Sequence, residues 1–228
     1  MTNWNEIIKL YNISEKENEF GYRVDEINEV ESRLKTKIPQ TLKSYYLSLG
    51  KNENINNSHN RLLKPNQEIG FSDDGYLVFY EENQASAYWG VKQEDLKLDN
   101  PPVWGNYGTN ESPDWHLETN TIENFLLLMG VYNGTLGGLE YNANCFENIE
   151  PDTVKKIQEI WKEIDKISWE KQRIYTIDFE EVISLSFDQN NNCTAIFIGT
   201  SHRERFDNLL ENLNINNWSY TSFEDDYE

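Results

Sequence analysis

Histidine and cysteine are scarce in this chain of 228 residues, which has three His and two Cys. His59, His116 and His202 stand far apart, and none is spaced with another His or a Cys as zinc ligands are. Cys145 and Cys193 lack a nucleophile context and read as reduced, buried thiols, with a disulfide between them left open. The phosphate-cradling patterns G-x-x-x-x-G-K and G-x-G-x-x-G are missing, as is G-x-S-x-G. The longest apolar run, Phe125 to Met129, falls far short of the roughly 18 residues that span a bilayer. Met1 to Glu6 carry neither the positive nor the apolar segment of a secretion signal, so a cytoplasmic location is expected. No catalytic residue, metal or cofactor is expected from these patterns.

Acidic and aromatic residues are abundant. Forty Asp and Glu against twenty Lys and Arg leave a net charge of −20. Such a field repels nucleic acid and anionic membrane, which are bound through cationic surface, and it speeds the approach of basic partners. Charge alone also fits a protein that acidity merely keeps soluble. Seven Trp and thirteen Tyr argue for a packed core and against disorder.

The apolar period predicts a short helix over residues 3–12, through Trp4, Ile7, Ile8 and Tyr11. A second helix is expected with Asp25 as its cap and Ile27, Val30 and Leu34 on its buried face. Pro39 opens a third, buried through Leu42, Tyr45, Tyr46 and Leu49 and closed by a left-handed Gly50. Residues 51–60 read as a polar loop. Alternation then predicts strands at Tyr76–Tyr80, Ala87–Val91, Val103–Trp104 and Trp115–Leu117, with a turn at Asp73-Asp74-Gly75. Thr121 caps a buried helix that ends in a Gly-rich loop, and that loop up to Glu150 is the expected domain boundary. Beyond it come a helix from Pro151 with Val154, Ile157, Ile160, Trp161, Ile164 and Ile167 on one face, three strands (173–177, 182–187, 193–198) and a final helix with Phe206, Leu209, Leu210 and Leu213. His202-Arg203-Glu204-Arg205 is the most site-like string, and a polar helix start explains it better than chemistry does. Asp73-Asp74 is the pair most like a hard-cation site, but Asp-Asp-Gly before a strand is a common turn.

The string Ile27…Glu31…Leu34-Lys35…Ile38-Pro39…Leu42-Lys43-Ser44-Tyr45-Tyr46…Leu49-Gly50 resembles the opening of the SUKH superfamily, the domain of Smi/Knr-type cell-wall regulators. Asp74–Tyr80, Tyr88-Trp89-Gly90-Val91, Pro102-Val103-Trp104, Trp115 and Thr121–Leu126 resemble its central strands, closing strands and helix. The resemblance covers about residues 20–132. It departs from the family at Leu49-Gly50-Lys51, where Asn-Gly or Gly-Gly is usual, and over 150–228, which does not align.

The resemblance implies an α+β fold with a mixed, mainly antiparallel sheet flanked by helices. A SUKH-like domain over 1–148 and a C-terminal helix–strand–strand–helix extension over 149–228 are then expected. It also implies a binding role without catalysis, either as a bacterial immunity protein that neutralises a polymorphic toxin or as a regulatory scaffold of cell-wall or signalling type. A basic toxin domain such as a nuclease is the expected protein partner. The expected contacts lie where acidic and aromatic residues alternate: Asp73, Asp74, Tyr80, Glu81, Glu82, Glu94, Asp95 and the tail Glu224, Asp225 and Asp226.

Overall fold

The computed structural model describes residues 4–14, 20–66, 68–109 and 111–223. The fold is α+β, and the chain divides into two compact units. One comprises Met1–Trp4 with Ser14–Gly130, and the other Asn5–Ile13 with Val131–Glu228. In chain order α1 is Asn5–Leu10, α2 Val24–Leu34, α3 Gln40–Ser48 and α4 Glu53–Asn56. Strands β1 (Arg61–Leu62), β2 (Gly70–Phe71), β3 (Tyr76–Glu81), β4 (Tyr88–Lys92), β5 (Val103–Asn106) and β6 (Trp115–Thr119) follow, then α5 (Ile122–Asn133). The remainder is β7 (Tyr141–Cys145), α6 (Pro151–Ile160), β8 (Lys162–Glu163), β9 (Gln172–Thr176), β10 (Glu181–Phe187), β11 (Cys193–Thr200), α7 (Arg203–Leu213) and β12 (Tyr220–Thr221). Every strand pairing among the described residues is antiparallel. No helix among them is long and apolar enough to cross a membrane.

In the first unit the sheet runs β1-β3-β4-β5-β6, with β2 also on β3. Alternation sorts its large residues in part, broken where the pairing is irregular between Val78 and Tyr80. Leu77, Phe79, Trp89, Val91 and Val103 are buried, and Phe125 of α5 meets the rings of Phe79 at 5.5 Å and Trp89 at 5.8 Å. Thr121 caps α5 as expected, its Oγ accepting from the Asn124 N–H at 3.1 Å, a contact that contributes about 1 kcal/mol. Tyr45 and Tyr46 are buried with their hydroxyls donating to Asn56 Oδ1 and to the Leu63 carbonyl, so the apolar bodies are hidden without stranding a polar tip.

Several local expectations change. Arg23, not Asp25, is the residue before α2, and its N–H donates to the Glu26 carboxylate at 2.7 Å. Gly50 is not left-handed. A Cβ there would lie 2.9 Å from both the Tyr22 ring and the Tyr46 backbone, so close approach explains the glycine. Residues 51–60 hold α4, because Asn52 caps it through the Ile55 N–H at 3.1 Å and Ile55 is buried. Periodicity counts apolar residues and so overlooks a one-turn helix made mostly of Asn and Glu.

In the second unit the sheet runs β12-β7-β11-β10-β9-β8. Its core joins Ala143, Tyr175, Ile183, Leu185, Ile196 and Ile198 to Ile157 of α6 and to Phe206, Leu209 and Leu213 of α7. The extension is therefore larger than helix–strand–strand–helix. The expected boundary at 148 would cut β7 from β11, to which it is paired over five residues. The leading helix α1 also belongs here. Ser201 Oγ donates to the Leu10 carbonyl at 2.8 Å, and Lys166 pairs with Glu6 at 2.6 Å. The helical pattern from Pro151 stops at Ile160, which is exposed, because Trp161 turns extended (φ −101°, ψ 143°) and is buried instead. Its indole then donates to the buried Glu181 at 2.8 Å, which the helical spacing of Ile164 and Ile167 conceals.

Candidate partner-binding surface

The expected turn at Asp73-Asp74-Gly75 connects β2 to β3. Gly75 has φ +88°, a conformation that favours glycine, and its N–H donates to the Ser72 carbonyl at 3.0 Å. Asp74 accepts from Ser72 Oγ at 2.6 Å and from the Trp115 indole N–H at 2.5 Å. Trp115 in turn stacks flat on Tyr76, with centroids 3.8 Å apart and planes 7° apart. Tyr76 is level with Lys92 in the β3–β4 register, whereas Trp115 is level with Asn106 and through it with Tyr88. The two rings therefore start at diagonal corners of the sheet, and their stacking requires it to coil until those corners meet.

The same alternation that buries Leu77 and Phe79 turns Tyr76, Val78, Tyr88, Lys92, Trp104, Trp115 and Leu117 to the other face, where they are half-buried or exposed. Lys92 lays its ammonium over the Trp104 ring at 3.8 Å, a cation–π contact worth about 0.5–1 kcal/mol at such a site. Asp74, Gly75, Tyr76, Lys92, Gln93 and Glu94 line an open depression at this corner. Burial, then the carboxylates of Asp74 and Glu94, raise the Tyr76 hydroxyl above its ordinary range, so both acids act on the same ring. Such a surface offers aromatic area bordered at one corner by Asp74 and Glu94, a combination that can meet a basic, partly apolar group.

Of the expected contact residues, the fold brings Asp74 and Glu94 together at this depression, with exposed Asp73 on the same turn and Asp95 beside Glu94. Tyr80 is corrected. It is 1% exposed, packs on Phe125 at 5.4 Å and cannot meet a partner, because the irregular pairing between Val78 and Tyr80 turns it inward. Glu81 is at the far end of β3, paired with Arg61 at 2.5 Å. Glu82 closes its own hairpin by accepting from the Gln84 N–H at 2.8 Å and Ser86 Oγ at 2.9 Å. Glu224, Asp225 and Asp226 lie outside the described residues.

The other candidates have structural places. His202 precedes α7, where Arg203 pairs with Asp207 at 3.0 Å and Arg205 with Glu181 at 2.7 Å. His59 meets Asn83 at 3.1 Å, and His116 pairs with Asp114 at 2.9 Å. Cys145 and Cys193 are free and buried, and burial pushes the Cys193 thiol up to about 11, away from the reactive thiolate. Among the described residues no group of three or more His, Cys, Asp or Glu could hold a metal ion.

Sequence reasoning missed Trp115, Tyr76 and Trp104 as one surface, since 39 positions separate the first two and only the coil of the sheet joins them. A usable signal was present: strands whose outward positions carry Tyr and Trp instead of the usual polar residues. Searches against family models, curated proteins and solved structures found no match.

Proposed function

We propose that this chain is a non-catalytic, acidic protein-binding module of SUKH type, and that it serves in the cytoplasm as an immunity protein for a basic toxin domain such as a nuclease. The observation that carries the reading is the stacked Tyr76–Trp115 pair bordered by Asp74 and Glu94. A nuclease must be basic to hold phosphates, so the surface that grips its substrate is complementary to this one. The charge of −20 steers the encounter, and the aromatic pair supplies desolvated anchors that slow release. Asp74 has a double part: its charge faces solvent while its second oxygen fixes the indole of Trp115.

The test is protection. Co-production with the product of an adjacent toxin gene, where the host carries one, should restore growth of a sensitive host. Asp74→Lys with Glu94→Lys should lower the association rate at low salt by about 10-fold or more while leaving the fold intact. Full protection and an unchanged salt dependence in that double variant would contradict the reading. Recovery of a cell-wall or signalling protein in place of a toxin would favour the regulatory scaffold.

A further inference from the structure

From the outer edge of β6 we infer a more specific mode of capture: an extended, basic segment of the partner adds to the first sheet as a further antiparallel strand. This rests on the reading that the surface binds a basic protein, and it names how. The Tyr107 N–H donates to the Asp114 carbonyl at 3.1 Å, which makes that pair hydrogen-bonded. Antiparallel pairing alternates, so the Gly105–His116 pair is bonded next, and Asn106–Trp115 and Trp104–Leu117 are the open pairs. The N–H and C=O groups of Trp115 and Leu117 therefore point away from β5, and β5 is the only strand that β6 pairs with among the described residues. Leu117 is 51% exposed and shares its face with Trp115, so an added strand would find apolar side chains beside its own.

Natural edges are commonly protected from such pairing by lysine. Here the sequence has no Lys or Arg between Lys97 and Lys155, and the β5–β6 hairpin and its flanks carry Glu111, Asp114 and Glu118. Acid at the edge repels a second copy of the same edge, since like charges would lie opposite one another, and it admits a strand of opposite sign. Charge complementarity thus commits the edge to a basic strand from another protein.

Two synthetic peptides of equal charge test this, one alternating Lys or Arg with Val, the other with Pro in place of Val. Amide hydrogen exchange in the whole chain provides the site-specific readout. The Val peptide should slow exchange at Trp115 and Leu117 by about 10-fold or more, and the Pro peptide should not. Leu117→Pro removes an outward N–H without touching the β5 ladder and should abolish the effect, whereas Leu117→Ala should retain it. Equal, salt-sensitive binding of both peptides without protection of these amides would overturn strand addition and leave the acidic-capture reading standing. Failure of both peptides to bind at low salt would overturn both. Dimers formed through β6 without peptide would overturn the choice of occupant.

Discussion

In the second unit, Glu180 and Glu181 sit side by side at the start of β10 and are neutralised within the same unit. Arg205 pairs with both, Lys9 reaches Glu180 at 3.4 Å, and the Trp161 indole donates to Glu181. In the first unit, Asp74 and Glu94 flank Tyr76, but the nearby cation Lys92 lies over Trp104 and joins no ion pair among the described residues. Similar ingredients (two acids, basic side chains and an indole) give a closed network in one place and an open surface in the other. What separates them is whether the cation reaches the acids. Removing one partner from a closed network strands a buried charge, whereas an open one leaves its negative charge facing solvent.

Three variants probe that contrast. The largest effect is expected for Arg205→Ala, which leaves the buried Glu181 without its guanidinium. A loss of about 2–4 kcal/mol should show in urea unfolding, less than for a fully buried pair because Arg205 is partly exposed.

Next is Glu31, 5% exposed and paired with Lys37 at 2.6 Å and Lys43 at 3.5 Å. Burial alone would raise its carboxyl, but Lys37, Lys43 and the Ile38 N–H outweigh it and hold the group below its ordinary 4.5. The unfolded chain thus takes up the proton first. Stability from this group is complete above 4.5 and is lost as pH falls through the lower folded value. Glu31→Gln should cost about 1–2 kcal/mol at neutral pH and flatten the acid limb of a stability–pH curve. An unchanged acid limb would show that Glu31 is not held by its lysines.

The smallest effect on stability is expected for Asp74→Lys with Glu94→Lys, within about 1 kcal/mol by thermal unfolding, since both acids are exposed and Asp74 holds only the half-buried Trp115 indole and the Ser72 hydroxyl. A loss as large as that for Arg205→Ala would erase the contrast and make the Asp74 corner structural.

Much of this could be read from the sequence, and the parts that could not share a cause. Strands rich in β-branched and aromatic residues, such as Tyr76–Glu81 and Cys193–Thr200, and the helix capped by Thr121 declare themselves through local composition and pattern. The α+β class, by contrast, is what the resemblance to the SUKH superfamily implies, and the structure has it. Asp74 and Glu94 are nominated by acid beside aromatic strand ends, also a local feature, and the fold places both at one depression. The coil that stacks Trp115 on Tyr76 and the irregular pairing that buries Tyr80 depend on register between distant strands, to which single-strand patterns are blind. The ending of α6 depends likewise on a hydrogen bond from Trp161 to a residue 20 positions away. The β7 strand, Tyr-Asn-Ala-Asn-Cys, was read as loop because its Asn residues lack strand propensity and its place between β11 and β12 supplies the pairing.

The central claim is that the first unit's acidic aromatic surface captures a basic partner. Its most direct test is the association rate with the proposed partner, a basic toxin domain, measured at about 50 and about 300 mM salt. Three forms should be compared: the unaltered chain, Asp74→Lys with Glu94→Lys, and Glu147→Lys with Glu211→Lys, which makes the same charge change at exposed sites on the second unit. The account predicts a low-salt rate about 10-fold or more slower for the Asp74 pair, a much smaller change for the Glu147 pair, and convergence at high salt. Equal slowing by both pairs would contradict it, because net charge rather than this surface would then govern capture.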